Sequence, residues 1–223
     1  MLSGDDSLKK HLSSLGIDFD GTILDSRFRH QKVLYDVLIN LNFNINLEDL
    51  NDFVSYKSFG RTTEDYLKIK GFYDTKNILR QWVENIERNS YLNLDKLYPN
   101  AETFLNTLAD RYNLYLVTAR KNRHGLFQQL NNLGITKYFK DILVVNPGYS
   151  SAFEKTESTK KLGLEFVIGD TEVDWNWAKN INCEFFALNW GFRNKAWWEA
   201  RNIISYQNLE EILSIIIRES VEQ

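Results

Sequence analysis

The stretch Asp18-Phe19-Asp20-Gly21-Thr22 follows an apolar run and precedes a Gly-Thr turn close to the amino terminus. Residues i and i+2 of a strand point the same way, so Asp18 and Asp20 can address one point in space. If the strand stops there, that point lies beyond its carboxyl end, where open α/β sheets place their sites. A turn-favouring acid pair capping a following helix would look the same locally. The rest of the chain has to decide.

Leu12 to Phe19 reads as a short strand ending at the carboxylates, although Ser13 and Ser14 make its start polar. From Phe28 the character changes, with Val33, Leu34, Val37, Leu38 and Leu41 at helical spacing. Leu47 to Tyr56, Thr62 to Lys70 and Thr75 to Leu94 are further predicted helices, and no strand interrupts Arg29 to Lys96. A simple βα crossover needs about a dozen residues. So long a helical stretch after one strand is better read as an insert.

After Pro99 helix and strand alternate. Strands are predicted over Leu114 to Val117, Ile142 to Val145, Leu164 to Ile168 and Glu184 to Leu188. The helices between them are Ala101 to Arg111, Asn122 to Leu133, Glu154 to Leu162 and Val173 to Asn180, with Leu209 to Arg218 at the end. Such alternation argues for an α/β fold, a Rossmann-like parallel sheet core covered by helices on both faces. The predicted division is an α/β core at 1–27 and 97–223, interrupted by an all-α cap domain at 28–96.

Length and composition are consistent with this and exclude other classes. The 223 residues, 43% hydrophobic and 14% aromatic, suit one large domain or a core with a smaller insert. A net charge of -3 without a Lys/Arg block gives a nucleic-acid surface no electrostatic support. One cysteine, Cys183, rules out an intrachain disulfide framework and a Cys-based metal cluster. No run approaches the roughly 18 apolar residues of a membrane span. Met1 to Ser14 lacks an apolar stretch of signal-peptide length. The expectation is a cytoplasmic protein; oligomeric state is not readable.

Polar residues cluster at the predicted strand ends: Asp18 and Asp20, Thr118, and Asp170 with Asp174 four residues on. Lys155 opens the predicted helix before the fourth of these strands. Carboxylates converging on one crevice repel one another unless a cation neutralises them. Oxygen donors with no His or Cys partner point to Mg²⁺. A nearby Lys and hydroxyl suit a bound phosphate, and an aspartate can then attack phosphorus.

Taken together, Asp18-x-Asp20-Gly21-Thr22, Thr118, Lys155 and Gly169-Asp170-x-x-x-Asp174 resemble, in order, the four motifs of the haloacid dehalogenase-like hydrolase superfamily. The helical insert resembles the type 1 cap of its phosphoglycolate-phosphatase-like branch, as do Tyr98-Pro99-Asn100-Ala101 and Leu188-Asn189-Trp190-Gly191-Phe192. The resemblance implies Asp18 as nucleophile and Mg²⁺ ligand. It implies Asp20 as general acid and then base, its carbonyl also on the metal. Thr118 and the Ala119 N–H would hold a phosphoryl oxygen, Lys155 would neutralise nucleophile and phosphate, and Asp170 and Asp174 would complete the metal shell.

The implied function is Mg²⁺-dependent hydrolysis of a small phosphorylated metabolite through an aspartyl-phosphate. A phosphomutase shares that chemistry. A dehalogenase is disfavoured by Asp20, since a halide needs no proton, and a non-catalytic phosphate binder has no need of Asp20. Lys160 and Lys161 are rivals to Lys155. Arg61, in the turn Lys57 to Thr62, and Arg120, after Thr118, are candidates for substrate specificity; a helix cap by Thr62 is the plainer reading of that turn. Arg27 and His30 could also face the cleft.

Overall fold

The structure, a computed structural model, describes residues 12–222. Its strands are β1 (Ser14–Ile17), β2 (Leu24–Asp25), β3 (Lys96–Leu97), β4 (Asn113–Ala119), β5 (Asp141–Val145), β6 (Leu164–Gly169), β7 (Glu184–Leu188) and β8 (Ser205–Tyr206). Six of them form one parallel sheet in the order β5-β4-β1-β6-β7-β8. β1 is central, flanked by β4 and β6, so the chain order reverses across it. The carboxyl ends of these three neighbours are therefore adjacent.

Side-chain alternation along the strands sorts the core into two layers. Leu15, Ile17, Leu114, Leu116, Phe166 and Ile168 face one side. There they pack with Phe104, Leu105 and Leu108 of α6 (Ala101–Ala109) and Leu209, Ile212 and Ile216 of α11 (Leu209–Glu222). Tyr115, Val117 and Val167 face the other, against Trp177 and Ala178 of α9 (Glu172–Ile181). Gly16 is demanded by that packing, because a Cβ there would lie 2.5 Å from the Trp177 ring. The remaining core helices are α7 (Arg123–Asn132), α8 (Ser151–Thr159) and the short α10 (Lys195–Glu199).

Between β2 and β3 the chain forms α1 (Arg27–Asn40), α2 (Phe53–Ser58), α3 (Thr63–Ile69), α4 (Thr75–Asn85) and α5 (Asn89–Leu92). These elements share an apolar cluster of their own, with Val33, Leu34, Val37, Leu38, Phe53, Tyr66, Leu67 and Ile78 at its centre. β2 and β3 pair antiparallel, a small ribbon that ties the departure of the helical segment to its return. That ribbon, α10 and β8 are too short to carry a pattern and were not expected from the sequence.

Two expected helices are broken. Leu47 to Tyr56 divides into a 3₁₀ turn at Leu47–Leu50, closed by an Asn46–Asp49 capping box, followed by α2. Thr75 to Leu94 divides into α4 and α5 because the residues between them bind the core instead. The Ile86 carbonyl accepts from Arg29 Nη1 at 3.1 Å. The Glu87 carboxylate accepts from the backbone N–H groups of Lys121 and Asn122 at 3.1 and 2.6 Å. These tertiary bonds outweigh helical continuity, which is only a weak preference. No helix among the described residues is long and apolar enough to cross a membrane.

Candidate active site

Strand geometry alone brings the acidic residues together. Ile17 pairs with Leu116 on one side and Ile168 on the other. Asp18, Thr118 and Asp170 therefore emerge from three adjacent strands within a residue or two of the same level, and the Asp18 N–H donates to the Ile168 carbonyl at 2.9 Å. Carboxylate oxygens of Asp18, Asp170 and Asp174 lie within 4.8 Å of one another, and all three residues are buried. Thr118 is buried and, with Ala119, lines the same cavity of about 340 Å³.

Lys155 is the cation of this cluster. It does not open its helix as expected: α8 begins at Ser151, so Lys155 lies inside it, 1% exposed. Its Nζ donates to Asp18 Oδ1 at 2.6 Å and Asp174 Oδ1 at 2.7 Å. Lys160 follows the last turn of α8 and pairs with Glu157 at the surface, and Lys161 is exposed. Asp174 serves twice, since its other oxygen accepts from the Thr171 N–H and hydroxyl as the capping box of α9. Helix capping and membership of the cluster are here the same residue's work.

Three buried carboxylates against one ammonium leave the cluster short of positive charge. Burial and the neighbouring Asp174 push the Asp18 carboxyl up to about 7, even though Lys155 pulls the other way. Burial, with Asp18 and Asp174, holds Asp170 well above the usual carboxylate range. Lys155 stays firmly protonated: burial opposes its charge, but Asp174 and Asp18 more than compensate. A compact divalent cation with a preference for oxygen fits this donor set and this charge deficit.

Asp20 has a different environment. Arg120 donates Nε to Asp20 Oδ2 at 2.5 Å and Nη2 to Oδ1 at 2.8 Å. Arg29 also donates to Oδ1. Burial would raise the Asp20 pKa, but Arg120 and Arg29 win and hold it at about 2. Arg29 in turn donates to Asp95 Oδ1 at 3.0 Å, and Asp95 Oδ2 accepts from Gln129 Nε2 at 2.8 Å. Two aspartates two residues apart therefore sit in opposite fields, Asp18 in a negative one and Asp20 in a positive one.

The loop after β7 closes the site from the side. The Phe192 N–H donates to Asp170 Oδ2 at 2.5 Å, and Trp190 Nε1 donates to the Gly21 carbonyl at 3.1 Å. The next residues hold the helical segment: Arg193 Nη1 donates to the Lys57 carbonyl, and the Asn194 N–H to the Ser58 carbonyl at 3.0 Å.

Of the expected specificity residues, Arg120 reaches the cavity and Arg61 does not. Arg61 is exposed, with its guanidinium 5.0 Å from the Tyr56 ring centre, and its neighbour Thr62 caps α3 through the Asp65 N–H. His30 lines the cavity, whereas Arg27 is turned to Asp25 and the Trp190 carbonyl. Sequence reasoning missed Arg29, Asp95 and Trp82. A helical arginine ordinarily reads as solvated, and nothing local to Arg29 signals the carboxylates it meets.

Comparison with known proteins gives one family and many folds of the same kind. The profile of the haloacid dehalogenase-like hydrolases matches residues 17–188. No curated protein matches the chain significantly. Among solved structures, a haloacid dehalogenase-like family hydrolase from Streptococcus pneumoniae is 19% identical, covering 92% of this chain and 98% of its own, with a TM-score of 0.73. A Clostridium difficile protein assigned as a phosphatase is 20% identical over 93% and 99%, with a TM-score of 0.74. A magnesium-bound HAD-hydrolase of Bacillus subtilis is 20% identical over 92% and 99%, with a TM-score of 0.58.

Proposed function

The chain belongs to the haloacid dehalogenase-like hydrolase family, and within it we propose a Mg²⁺-dependent phosphatase acting on a small phosphate monoester. The observation that carries this reading is the buried trio Asp18, Asp170 and Asp174 with Lys155 against two of its members. The magnesium found in the Bacillus subtilis relative supports the choice of metal. Asp18 and Asp170 would hold the ion together with the Asp20 carbonyl. Asp174, with both oxygens engaged by Lys155 and Thr171, would reach it through water. The ion would supply Lewis-acid stabilisation of charge on the transferring group.

In the first step an Asp18 oxygen attacks phosphorus. The Asp18 O–P bond forms, the P–O bond to the alcohol breaks, and Asp20 gives the departing oxygen a proton. Lys155 shields the nucleophile's charge from the phosphate, while Thr118 and the Ala119 N–H hold a phosphoryl oxygen. In the second step Asp20 takes a proton from a water that attacks the phosphorus of the Asp18 acyl phosphate; the Asp18 O–P bond breaks, releasing phosphate and regenerating Asp18. The Arg120–Asp20 pair favours the ionised, base form of Asp20. Loading the proton needed for the first step therefore calls for Arg120 to yield to the incoming anion. The helical segment between β2 and β3 acts as the cap that excludes water from that step.

The test is phosphate release from a panel of phosphate esters with and without Mg²⁺. Metal-dependent release is expected. Isomerised sugar phosphate with little free phosphate would instead indicate the mutase, and no turnover on any ester would revive the non-catalytic binder. The single half-buried thiol, Cys183, suits the reducing cytoplasm.

A further inference from the structure

The cavity has two chemically different walls. Its floor is the charged cluster of Asp18, Asp170, Asp174 and Lys155. The facing wall is made by Trp82 and Val83 of α4 and by Ile86 just after it, joined by His30 of α1 and by Phe192. His30 lies edge-on to Trp82 at 5.3 Å and tilted against Phe192 at 4.6 Å. Burial, with Lys57, Arg29 and Arg120 nearby, pushes the His30 imidazole well below its usual pKa, so it is neutral.

The cations around this wall are already committed. Arg29 serves Asp20, Asp95 and the Ile86 carbonyl. Arg120 gives two of its nitrogens to Asp20. The Lys57 ammonium lies over the rings of Phe53, Trp82 and Phe192, at 5.2 to 5.5 Å, outside the cavity lining. Lys121 stands at the exposed rim. A carboxylate packed against Trp82, Val83 and Ile86 would have only the third nitrogen of Arg120 and the exposed rim lysine Lys121 to answer it. Burying a charge against such a surface without full pairing is strongly unfavourable.

Two buried polar atoms at this wall have no partner, Arg120 Nη1 and His30 Nδ1. More than about 90% of buried polar groups in proteins are satisfied, so an orphan pair at one cavity marks where ligand atoms belong. The volume, about 340 Å³, falls within the range of small-molecule sites.

We infer that the alcohol portion of the substrate is an uncharged aromatic ring carrying a hydrogen-bonding group. The ring packs against Trp82, Ile86 and Phe192, and its polar group takes the free N–H of Arg120 and the free nitrogen of His30. The inference rests on the phosphatase reading, which places the phosphate at the charged floor.

The test compares two non-hydrolysable phosphonates by calorimetric titration of the Mg²⁺-loaded protein. One, 2-phenylethylphosphonate, ends in an aromatic ring; the other, 3-phosphonopropionate, ends in a carboxylate. The ring compound is expected to bind at least about tenfold tighter, a difference of about 1.4 kcal/mol. Trp82→Ala should narrow that ratio, and Trp82→Phe, which keeps the wall aromatic and guards against misfolding, should preserve it. Equal or tighter binding of the carboxylate compound would overturn the inference, as would a ratio indifferent to Trp82→Ala. Both binding constants are read without turnover. A failure of the phosphatase reading, seen as no phosphate from benzyl phosphate or any other ester, is thus separable from a failure of this one.

Discussion

Arg120 grips Asp20 with two nitrogens, Nε on one carboxylate oxygen at 2.5 Å and Nη2 on the other at 2.8 Å. The arginine side chain is 3% exposed and the aspartate 21%, so the pair opens to the cavity on the Asp20 side. It follows that the charge state of the second aspartate is set by a residue that also lines the substrate cavity. Ligand entry and proton loading are thereby linked through one side chain.

Arg120→Met should expose this link. Removing a cation from beside a carboxylate raises its pKa, so the Asp20 carboxyl should move up from about 2 toward its ordinary value. The acid limb of the rate of phosphoenzyme hydrolysis against pH, the step in which Asp20 acts as base, should shift upward with it. Turnover should fall about 10²-fold, as expected for loss of a preorganised charged donor. An acid limb that stays in place would show that Arg120 does not govern Asp20.

Stability should depend on pH in an inverted way when metal is removed. The folded-state pKa values of Asp18, at about 7, Asp95, at about 6, and Asp170 are all raised above their ordinary value near 3.8. Between about pH 7 and 4 these three carboxyls therefore hold more protons in the folded chain than in the unfolded one, against the opposing contribution of His30, whose pKa is lowered. Stability falls as pH rises through that window. In EDTA, Tm should be higher at pH 5.5 than at pH 8, and added Mg²⁺ should stabilise more at pH 8. About 1 kcal/mol corresponds to about 2–4 °C in a chain of this size. A Tm that rises with pH in EDTA would contradict the charge deficit described for the cluster.

Gly191 lies against Asp170 with no room for a side chain. A Cβ there would sit 2.1 Å from Asp170 Oδ2 and 2.5 Å from the Gly21 carbonyl oxygen. Gly191→Ala should displace Asp170 or the Phe192 N–H that it accepts, at a cost of about 1–3 kcal/mol. Mg²⁺ affinity, measured by titrating the thermal shift, should drop about tenfold, the drop typical of lost outer-shell support. Unchanged affinity would mean the loop does not hold Asp170.

Arg29 of α1 pairs with Asp20 and Asp95 while its side chain is 2% exposed, tying the helical segment to the candidate site. Arg29→Met leaves Asp95 with Gln129 and Asp20 with Arg120, and breaking the buried pair should cost about 3–5 kcal/mol in denaturant unfolding. Asp95→Asn should cost less, because Arg29 keeps Asp20. Equal costs for both would show that the Arg29–Asp20 pair adds nothing to stability.

The parts of this molecule legible from sequence are those set by local pattern. Short apolar runs alternating with helical spacing mark β1, β4, β5, β6 and β7, and the polar residues at their ends are Asp18, Thr118 and Asp170. Lys155 was reachable only as one of three lysines, because whether a helical lysine turns inward depends on where α8 starts. The pairing of Arg29 with Asp20 and Asp95 spans elements far apart in the chain and leaves no local trace. The same holds for Glu87, whose bonds to the loop after β4 end α4 where the apolar spacing alone continued it. Arg61 and Arg120 are both basic residues in plausible turns, and only tertiary placement separates them.

The most direct test of the account is Asp18→Asn assayed beside the unaltered protein on a phosphate ester with Mg²⁺. The unaltered protein should release phosphate, and acid-quenched samples should carry a phosphoryl group on the peptide containing Asp18. The variant should show neither, with turnover reduced by at least about 10³-fold, in line with loss of a covalent nucleophile. Phosphate release by Asp18→Asn at the rate of the unaltered protein would contradict the account at its centre.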